Sequence, residues 1–303
     1  MEAGGVAVTE DLAQNFNGVE ALKGVNLEFP EGISGLVGPN GAGKTTFVRI
    51  LLGLLPQDAG KAWVMGFDTT SDSLAIRRKL GVLHEKVAFP GFMKPRKYLQ
   101  RVASVYDTDI DCDELLSRID LEVGDKRIRD LSAGMQKKLA IAQALVGNPE
   151  LVILDEPLSN LDVAARKLVS DLIIKLHNEE GISFLISSHI LSDLEKVCHY
   201  VAFLDNGNVI EQDSVQNILQ RYTADHYRLV VSDPPRIVEQ VRGISDVEHA
   251  EVAGANSLVM IAAAERIDGI WEEIQDISKS QSVQAFSFHR ENTLEEAFKE
   301  LVK

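Results

Sequence analysis

A chain of 303 residues, 45% of them hydrophobic, has room for a full α/β domain plus something smaller, so two domains are expected. Its formal charge of -15 argues against broad nucleic-acid binding, because a surface that tracks phosphates needs clustered Lys and Arg; the same charge also suits a salt-rich host. No run of about eighteen apolar residues appears, Met1 to Glu10 lacks a basic segment and an apolar core, and Cys112 and Cys198 lie far apart without metal-type spacing, so the expectation is a cytoplasmic chain that does not itself cross a membrane and holds no disulfide or zinc.

In chain order, Phe16, Asn17 and Gly18 form a turn-like stretch before Val19 to Phe29, where Leu22, Val25, Leu27 and Phe29 suggest a strand. Phe16 is placed either to stack on a purine ring or to serve as an ordinary surface or core aromatic. Ile33 to Val37 is a short apolar run that suits a buried strand. It leads into Gly38, Pro39, Asn40, Gly41, Ala42, Gly43, Lys44, Thr45 and Thr46, a G-x-x-x-x-G-K-T spacing. The glycines permit backbone angles and close approaches that a Cβ forbids, so successive N–H groups can turn inward onto phosphate oxygens. Lys44 then reaches the β and γ phosphates, and Thr45 offers a hydroxyl to Mg2+. Phe47, Ile50, Leu51 and Leu54 recur at helical spacing, so the loop opens a helix whose N-terminal dipole favours an anion.

Further on, Lys61 to Met65 reads as a strand, Ser73 to Lys79 as a short helix, and Leu80 to His84 as a buried strand running into Glu85. The stretch Lys86 to Lys94, with Pro90 and Gly91, is too broken for regular structure. Glu85 at its mouth is either a sensor of phosphate or metal or simply an exposed acid. From Pro95 to Asn148 apolar residues fall at helical spacing with no strand between them, so an inserted helical lobe is expected over about 95–148. Lys94, Arg96, Lys97 and Arg101 give its beginning a basic edge, either a solvated face or a docking surface. Ser132 is a natural N-cap for the helix carrying Leu139, Ile141 and Leu145. With Gly134 it also sets small residues and free N–H groups at a helix N-terminus, a second anion site.

Leu151 to Leu154 suits a central parallel strand, with Asp155 and Glu156 at the C-terminal end, where open α/β sheets place ligands. Asp155 fits a Mg2+ ligand and Glu156 a base or orienter for an attacking water, the two tasks of phosphoryl transfer to water. Asp162 leads into an amphipathic helix. Ser183 to Ser187 forms another buried strand, and His189 follows it on the same sheet edge, either structural or placed to donate to a γ phosphate. Val201 to Leu204 and Val209 to Glu211 read as a β-hairpin with a type I′ turn at Asn206 and Gly207. A helix from Val215 to Tyr222 closes a first domain, 1–222.

Over 223–303 the order is strand, helix, strand, strand, helix, strand: Tyr227 to Val231, Ile237 to Val241, Val247 to Val252, Leu258 to Ile261, Ile267 to Ile277 and Val283 to Phe288. That βαββαβ order folds naturally as a small ferredoxin-like α+β unit. Thr293 and Glu296 then open a final helix with capping-box spacing. These residues hold 8 basic and 15 acidic side chains, net -7, which disfavours contact with a phosphate backbone.

With these residues in place, 5 to 222 resembles the ATP-binding subunit of an ABC transporter, in the bacterial and archaeal multidrug or daunorubicin-resistance-like branch. Phe16 matches the adenine-stacking aromatic, Gly38 to Thr45 the Walker A loop, Leu131 to Met135 the signature, Val152 to Glu156 the Walker B strand and catalytic Glu, Ser159 to Asp162 the D-loop, and His189 the switch histidine. Two departures stand out: Glu85 where the family has Gln, and LSAGM where LSGGQ is usual.

The resemblance implies a P-loop NTPase sheet that binds ATP and Mg2+, with two such domains packed head to tail. Lys44, the loop amides and a Mg2+ on Thr45, Asp155 and Glu85 would hold the phosphates, with Glu85 also among the catalytic residues. Ser132 and Gly134 of the opposite chain would close the cage, Asp162 would lie at the same junction, Glu156 would polarise water and His189 would steady the transferring group. It further implies a separate membrane-spanning subunit, a peripheral position on the inner face of the cell membrane, an exporter, and an accessory role for 223–303. The alternative is a soluble ABC ATPase acting on ribosomes, DNA or iron–sulfur assembly. Against it, the interval from Lys44 to Ser132 has no sustained heptads and each motif occurs once. A non-hydrolysing binding module is opposed by the intact Lys44, Asp155, Glu156 and His189.

Overall fold

The computed structural model describes residues 5–106, 108 and 110–302; the expected domain ends at 1 and 303 lie outside them. The chain falls into two compact units, Met1–Val215 and Gln216–Lys303.

The first unit opens on β1 (Ala7–Phe16) and β2 (Val19–Phe29), paired antiparallel through a turn in which Asn17 and Gly18 take positive φ, 52° and 89°. No sequence signal announced β1. Its alternation is broken where the register slips between Thr9 and Leu12, around Asp11 at φ 46°, and such a bulge destroys the period-two pattern. Next come β3 (Ile33–Val37), buried along its whole length, α1 (Lys44–Leu51), β4 (Ala59–Val64), β5 (Phe67–Asp68), α2 (Ser73–Lys79) and β6 (Leu80–Leu83). β4 and β5 join the first two strands in an antiparallel sheet ordered β2-β1-β4-β5. Leu12, Leu22, Phe29, Phe47, Ile50 and Leu51 share one core, with Phe29 edge-on to Phe47 at 6.1 Å between ring centroids.

The stretch read as a helical lobe carries α3 (Pro95–Tyr106), α4 (Cys112–Arg118), a 3-10 turn at Ile128–Asp130 and α5 (Ala133–Leu145), with no strand among its described residues. Cys112 and Cys198 are buried free thiols. After α5 come β7 (Leu151–Asp155), α6 (Val163–Glu180), β8 (Ser183–Ser188), the short α7 (Leu191–Leu194), β9 (Tyr200–Asp205) and β10 (Asn208–Ser214). The larger sheet runs β10-β9-β3-β8-β7-β6. All its neighbours are parallel except the edge hairpin of β9 and β10. β3, β7 and β8 are buried along their whole length, as strands in the middle of a mostly parallel sheet are. In the hairpin turn Asn206 and Gly207 have φ of 47° and 80°, the two positive values that a type I′ turn requires.

α8 (Val215–Tyr222), placed by sequence at the end of the first domain, lies in the second unit from Gln216 onward. Just past it, the Thr223 hydroxyl donates to Asn292 Oδ1. β11 (His226–Val231), α9 (Pro234–Arg242), β12 (Val247–Gly254), β13 (Ser257–Ala262), α10 (Ile267–Ser280), β14 (Ala285–Arg290) and α11 (Leu294–Leu301) follow. The sheet is fully antiparallel in the order β12-β13-β11-β14, with the first strand of the unit at its centre. Leu229, Val231, Ile237, Val241, Met260, Ile270 and Ile274 form the core that this sheet shares with α9 and α10. Thr293 Oγ1 accepts the Glu296 N–H as an N-cap, while the Glu296 carboxylate pairs with Lys299 at 2.7 Å.

Helix α5 is held against the larger sheet by a close approach. A Cβ on Gly81 of β6 would lie 2.3 Å from the Ala144 carbonyl oxygen, so Gly81→Ala must push helix and strand apart. Overpacking of this kind costs about 1–3 kcal/mol, and the expected outcome is a lower denaturant midpoint for the first unit.

Candidate functional site

The loop after β3 is built around two glycines whose conformation no other residue adopts cheaply. Gly41 and Gly43 have φ of 85° and 108°, in the left-handed region where a Cβ is strained. Space is short as well: a Cβ on Gly38 would meet the Leu204 carbonyl oxygen at 2.1 Å, and one on Gly43 the Ala21 carbonyl oxygen at 2.5 Å. The hairpin turn braces the same loop, because the Gly207 N–H donates to the Ala42 carbonyl (3.0 Å) while its own carbonyl accepts from Lys23 N–H (2.9 Å). Lys44 is the first residue of α1 and is buried, with Nζ donating to the carbonyls of Gly38 (2.6 Å) and Pro39 (3.2 Å). Burial pushes its pKa below the ordinary lysine value, and the charges of Glu156 and Asp155 pull it back up.

Parallel register brings the acidic residues to the same edge. Val37 pairs with Ser188, and Asp155 with Ser187, so the chain leaves β3, β8 and β7 at one level. Asp155 is buried and its Oδ1 accepts a short hydrogen bond from Ser187 Oγ. Glu156, one residue past the strand, has φ 49°, an uncommon conformation for a residue with a Cβ. Contacts on both sides of the residue hold it there. Its N–H donates to the carbonyl and hydroxyl oxygens of Ser187 (3.1 and 3.3 Å), and its carbonyl accepts from the Ser159 hydroxyl (2.9 Å), the Ser159 N–H (3.3 Å) and Lys137 Nζ (3.5 Å). The Glu156 side chain turns toward His189, with Oε1 2.9 Å from Nδ1.

Together these groups line a cavity of about 390 Å3, walled by the loop from Pro39 to Thr46, by Glu85, Asp155, Glu156 and His189, and by Ala21, Ser159 and Asn160. Glu85 is exposed where the chain leaves β6. A hard cation would find two oxygen donors here, the Thr45 hydroxyl and the Asp155 carboxylate fixed by Ser187. Among the described residues no group of three or more His, Cys, Asp or Glu converges to hold a metal by itself. Two oxygens with the rest left to phosphate and water suits magnesium, which gives up its waters reluctantly.

Three expected residues stand elsewhere. Ser132, Gly134 and Asp162 line a different and larger cleft of about 1310 Å3, beside the starts of α5 and α6. Ser132 Oγ accepts the Met135 N–H (3.3 Å) and Asp162 Oδ1 the Ala165 N–H (2.7 Å), so each caps its helix. A Cβ on Gly134 would touch the Ala165 Cβ at 3.1 Å, so the two helix starts pack together. Phe16, at the end of β1, is 44% exposed and is not among the residues of the smaller cavity. Sequence reasoning missed Ala21, Ser187 and Lys137. Ser187 was within reach, since a parallel strand aligned with Leu151–Asp155 sets it beside Asp155. Lys137 gave no signal, as one of two adjacent lysines on a helix. Removing the Ser187 hydroxyl leaves a buried carboxylate short of a donor, at about 1–3 kcal/mol; the expected outcome for Ser187→Ala is that loss in denaturant unfolding, with secondary structure unchanged by circular dichroism.

The family model for ABC transporters matches residues 22–159. An ABC transporter ATP-binding protein of Bacillus subtilis (strain 168), YdbJ, is 34% identical over 212 residues, covering 68% of this chain and 68% of that protein. The daunorubicin resistance ATP-binding protein DrrA3 of Streptomyces coeruleorubidus is 32% identical over 235 residues, 75% of this chain and 74% of its own length. Among solved structures, a dimeric ATP-binding cassette in a post-hydrolysis state, bound to ADP and Pi, superposes with a TM-score of 0.61 over 69% of this chain and 98% of that chain, at 22% identity. The chain therefore belongs to the ATP-binding proteins of ABC transporters, and with them is an ATP-hydrolysing enzyme.

Proposed function

We propose that this chain is the nucleotide-binding subunit of a membrane exporter, and that two copies of the ATPase unit close head to tail on ATP to drive it. The observation that carries this reading is the division of the expected residues between two clefts. The phosphate loop, Asp155, Glu156 and His189 line one, while Ser132, Gly134 and Asp162 line another. A single cleft lacks half the groups, and a head-to-tail pair supplies them. The dimeric cassette holding ADP and Pi supports pairing of two copies, and the name of the daunorubicin resistance relative supports export. Among the described residues no helix is long and apolar enough to cross a membrane, which suits a subunit that docks from the inner face onto a separate membrane-spanning partner. The helical lobe would do the docking, and the unit from Gln216 onward would serve dimerisation or regulation.

The chemistry follows from the atoms at the sheet edge. The amides from Gly38 to Thr46 and Lys44 Nζ would bind the β and γ phosphates, with Lys44 exchanging its loop carbonyls for phosphate oxygens. Phe16 would stack on the adenine. Thr45 and Asp155 would hold Mg2+, with Glu85 facing it from the mouth; when bound, the ion neutralises charge on the phosphates. Glu156, held by backbone contacts at both its N–H and its carbonyl, would orient water for in-line attack and accept its proton. With Nδ1 beside Glu156 Oε1, the Nε2 of His189 would face the transferring phosphoryl group. Ser132 and Gly134 of the second copy would meet the γ phosphate at the N-terminus of α5, with Asp162 beside them.

Removing the base and keeping the nucleotide contacts separates binding from hydrolysis. For Glu156→Gln the expected outcome is a fall in kcat of about 10²–10⁴ with ATP binding retained, and an ATP-dependent dimer by light scattering. Hydrolysis at the parent rate would overturn the role given to Glu156. Isolation from native membranes should recover a membrane-spanning subunit with the chain; recovery only with ribosomes or nucleic acid would overturn the transport reading.

A further inference from the structure

Three donors converge on the Glu156 carbonyl oxygen. Two belong to Ser159, the hydroxyl and the N–H, and come from the same turn. The third, Lys137 Nζ at 3.5 Å, comes from α5, the helix whose first turn carries Ser132 and Gly134. Lys137 is half-buried, and the carboxylates of Glu156, Glu85 and Asp155 all act on its charge against the cost of that burial. Lys44, in the phosphate loop, is occupied by the loop carbonyls. Lys137 therefore brings a cation from the lobe to the Glu156 backbone. We propose that Lys137 is a positioning residue for Glu156, tying its left-handed backbone to α5.

The inference rests on the role proposed for Glu156. It adds a physical link: a shift of α5, whose N-terminus would meet the second copy's nucleotide, is transmitted through one side chain to the backbone of the base. An arginine in place of Lys137 keeps both the reach and the charge, whereas methionine keeps only the stem.

ATP hydrolysis and binding of a fluorescent ATP analogue, measured on the full chain, test this. Expected for Lys137→Met is a kcat lower by about tenfold with analogue affinity within about twofold of the parent, since only an interaction needed in the transition state is removed. Lys137→Arg should restore most of the rate. A Lys137→Met rate equal to the parent's, an equal loss in Lys137→Arg, or a matching loss of analogue affinity overturns the positioning role. Glu156→Gln in the same assay distinguishes the failures: if it hydrolyses ATP like the parent, the proposed base is wrong; if it is inactive while Lys137→Met is unaffected, only this inference falls.

Discussion

Parallel register is the constraint on which the rest depends. β9, β3, β8, β7 and β6 run the same way, so their carboxyl ends must reach one edge and everything that leaves them must share it. The glycine loop, Asp155, Glu156, His189 and Glu85 are separated widely in sequence and are brought together by that rule alone. Tight pairing then sets the fine geometry: Asp155 lies level with Ser187, close enough for one hydroxyl to fix the carboxylate while the same residue takes the amide of Glu156. A slip of one residue between β7 and β8 would turn Asp155 to the wrong face of the sheet.

Charge is the cost of this arrangement. Three carboxylates and two lysines stand at one edge, and both Lys44 and Lys137 are pulled down by burial and up by the acids. Burying such groups is tolerable only when each has a partner, and here many partners are backbone atoms: two loop carbonyls for Lys44 and the Glu156 carbonyl for Lys137. The fold's own stability lies elsewhere, in the apolar cores of the two units. Exposed ion pairs such as Lys79 with Glu150 contribute little by comparison.

The legible parts of the chain were those where local chemistry and global fold agree. Short, mainly apolar runs matched β3, β7 and β8, the Asn206 and Gly207 pair matched the β9–β10 hairpin, and the expected order of strands and helices after 222 matched β11 to β14. Gly38 to Thr46 was readable because strained backbone leaves glycine as its trace. β1 was hidden by a bulge. The Phe16 ring was assigned by family position, and in the structure it lies outside the smaller cavity. Lys137 was illegible in principle, since its meaning comes from a carbonyl contributed by a residue nineteen places on.

The hairpin turn carries one more consequence. Its Gly207 N–H completes the hydrogen bonding of Ala42, and the neighbouring Leu204 carbonyl packs over Gly38, so the phosphate loop leans on strands made near the end of the first unit. During synthesis at about 5–20 residues per second, the loop emerges on the order of ten seconds before its support. A nascent chain therefore carries the complete Walker A sequence while its phosphate cradle is still unformed. The loop's bracing is complete only after the chain has been made as far as Gly207.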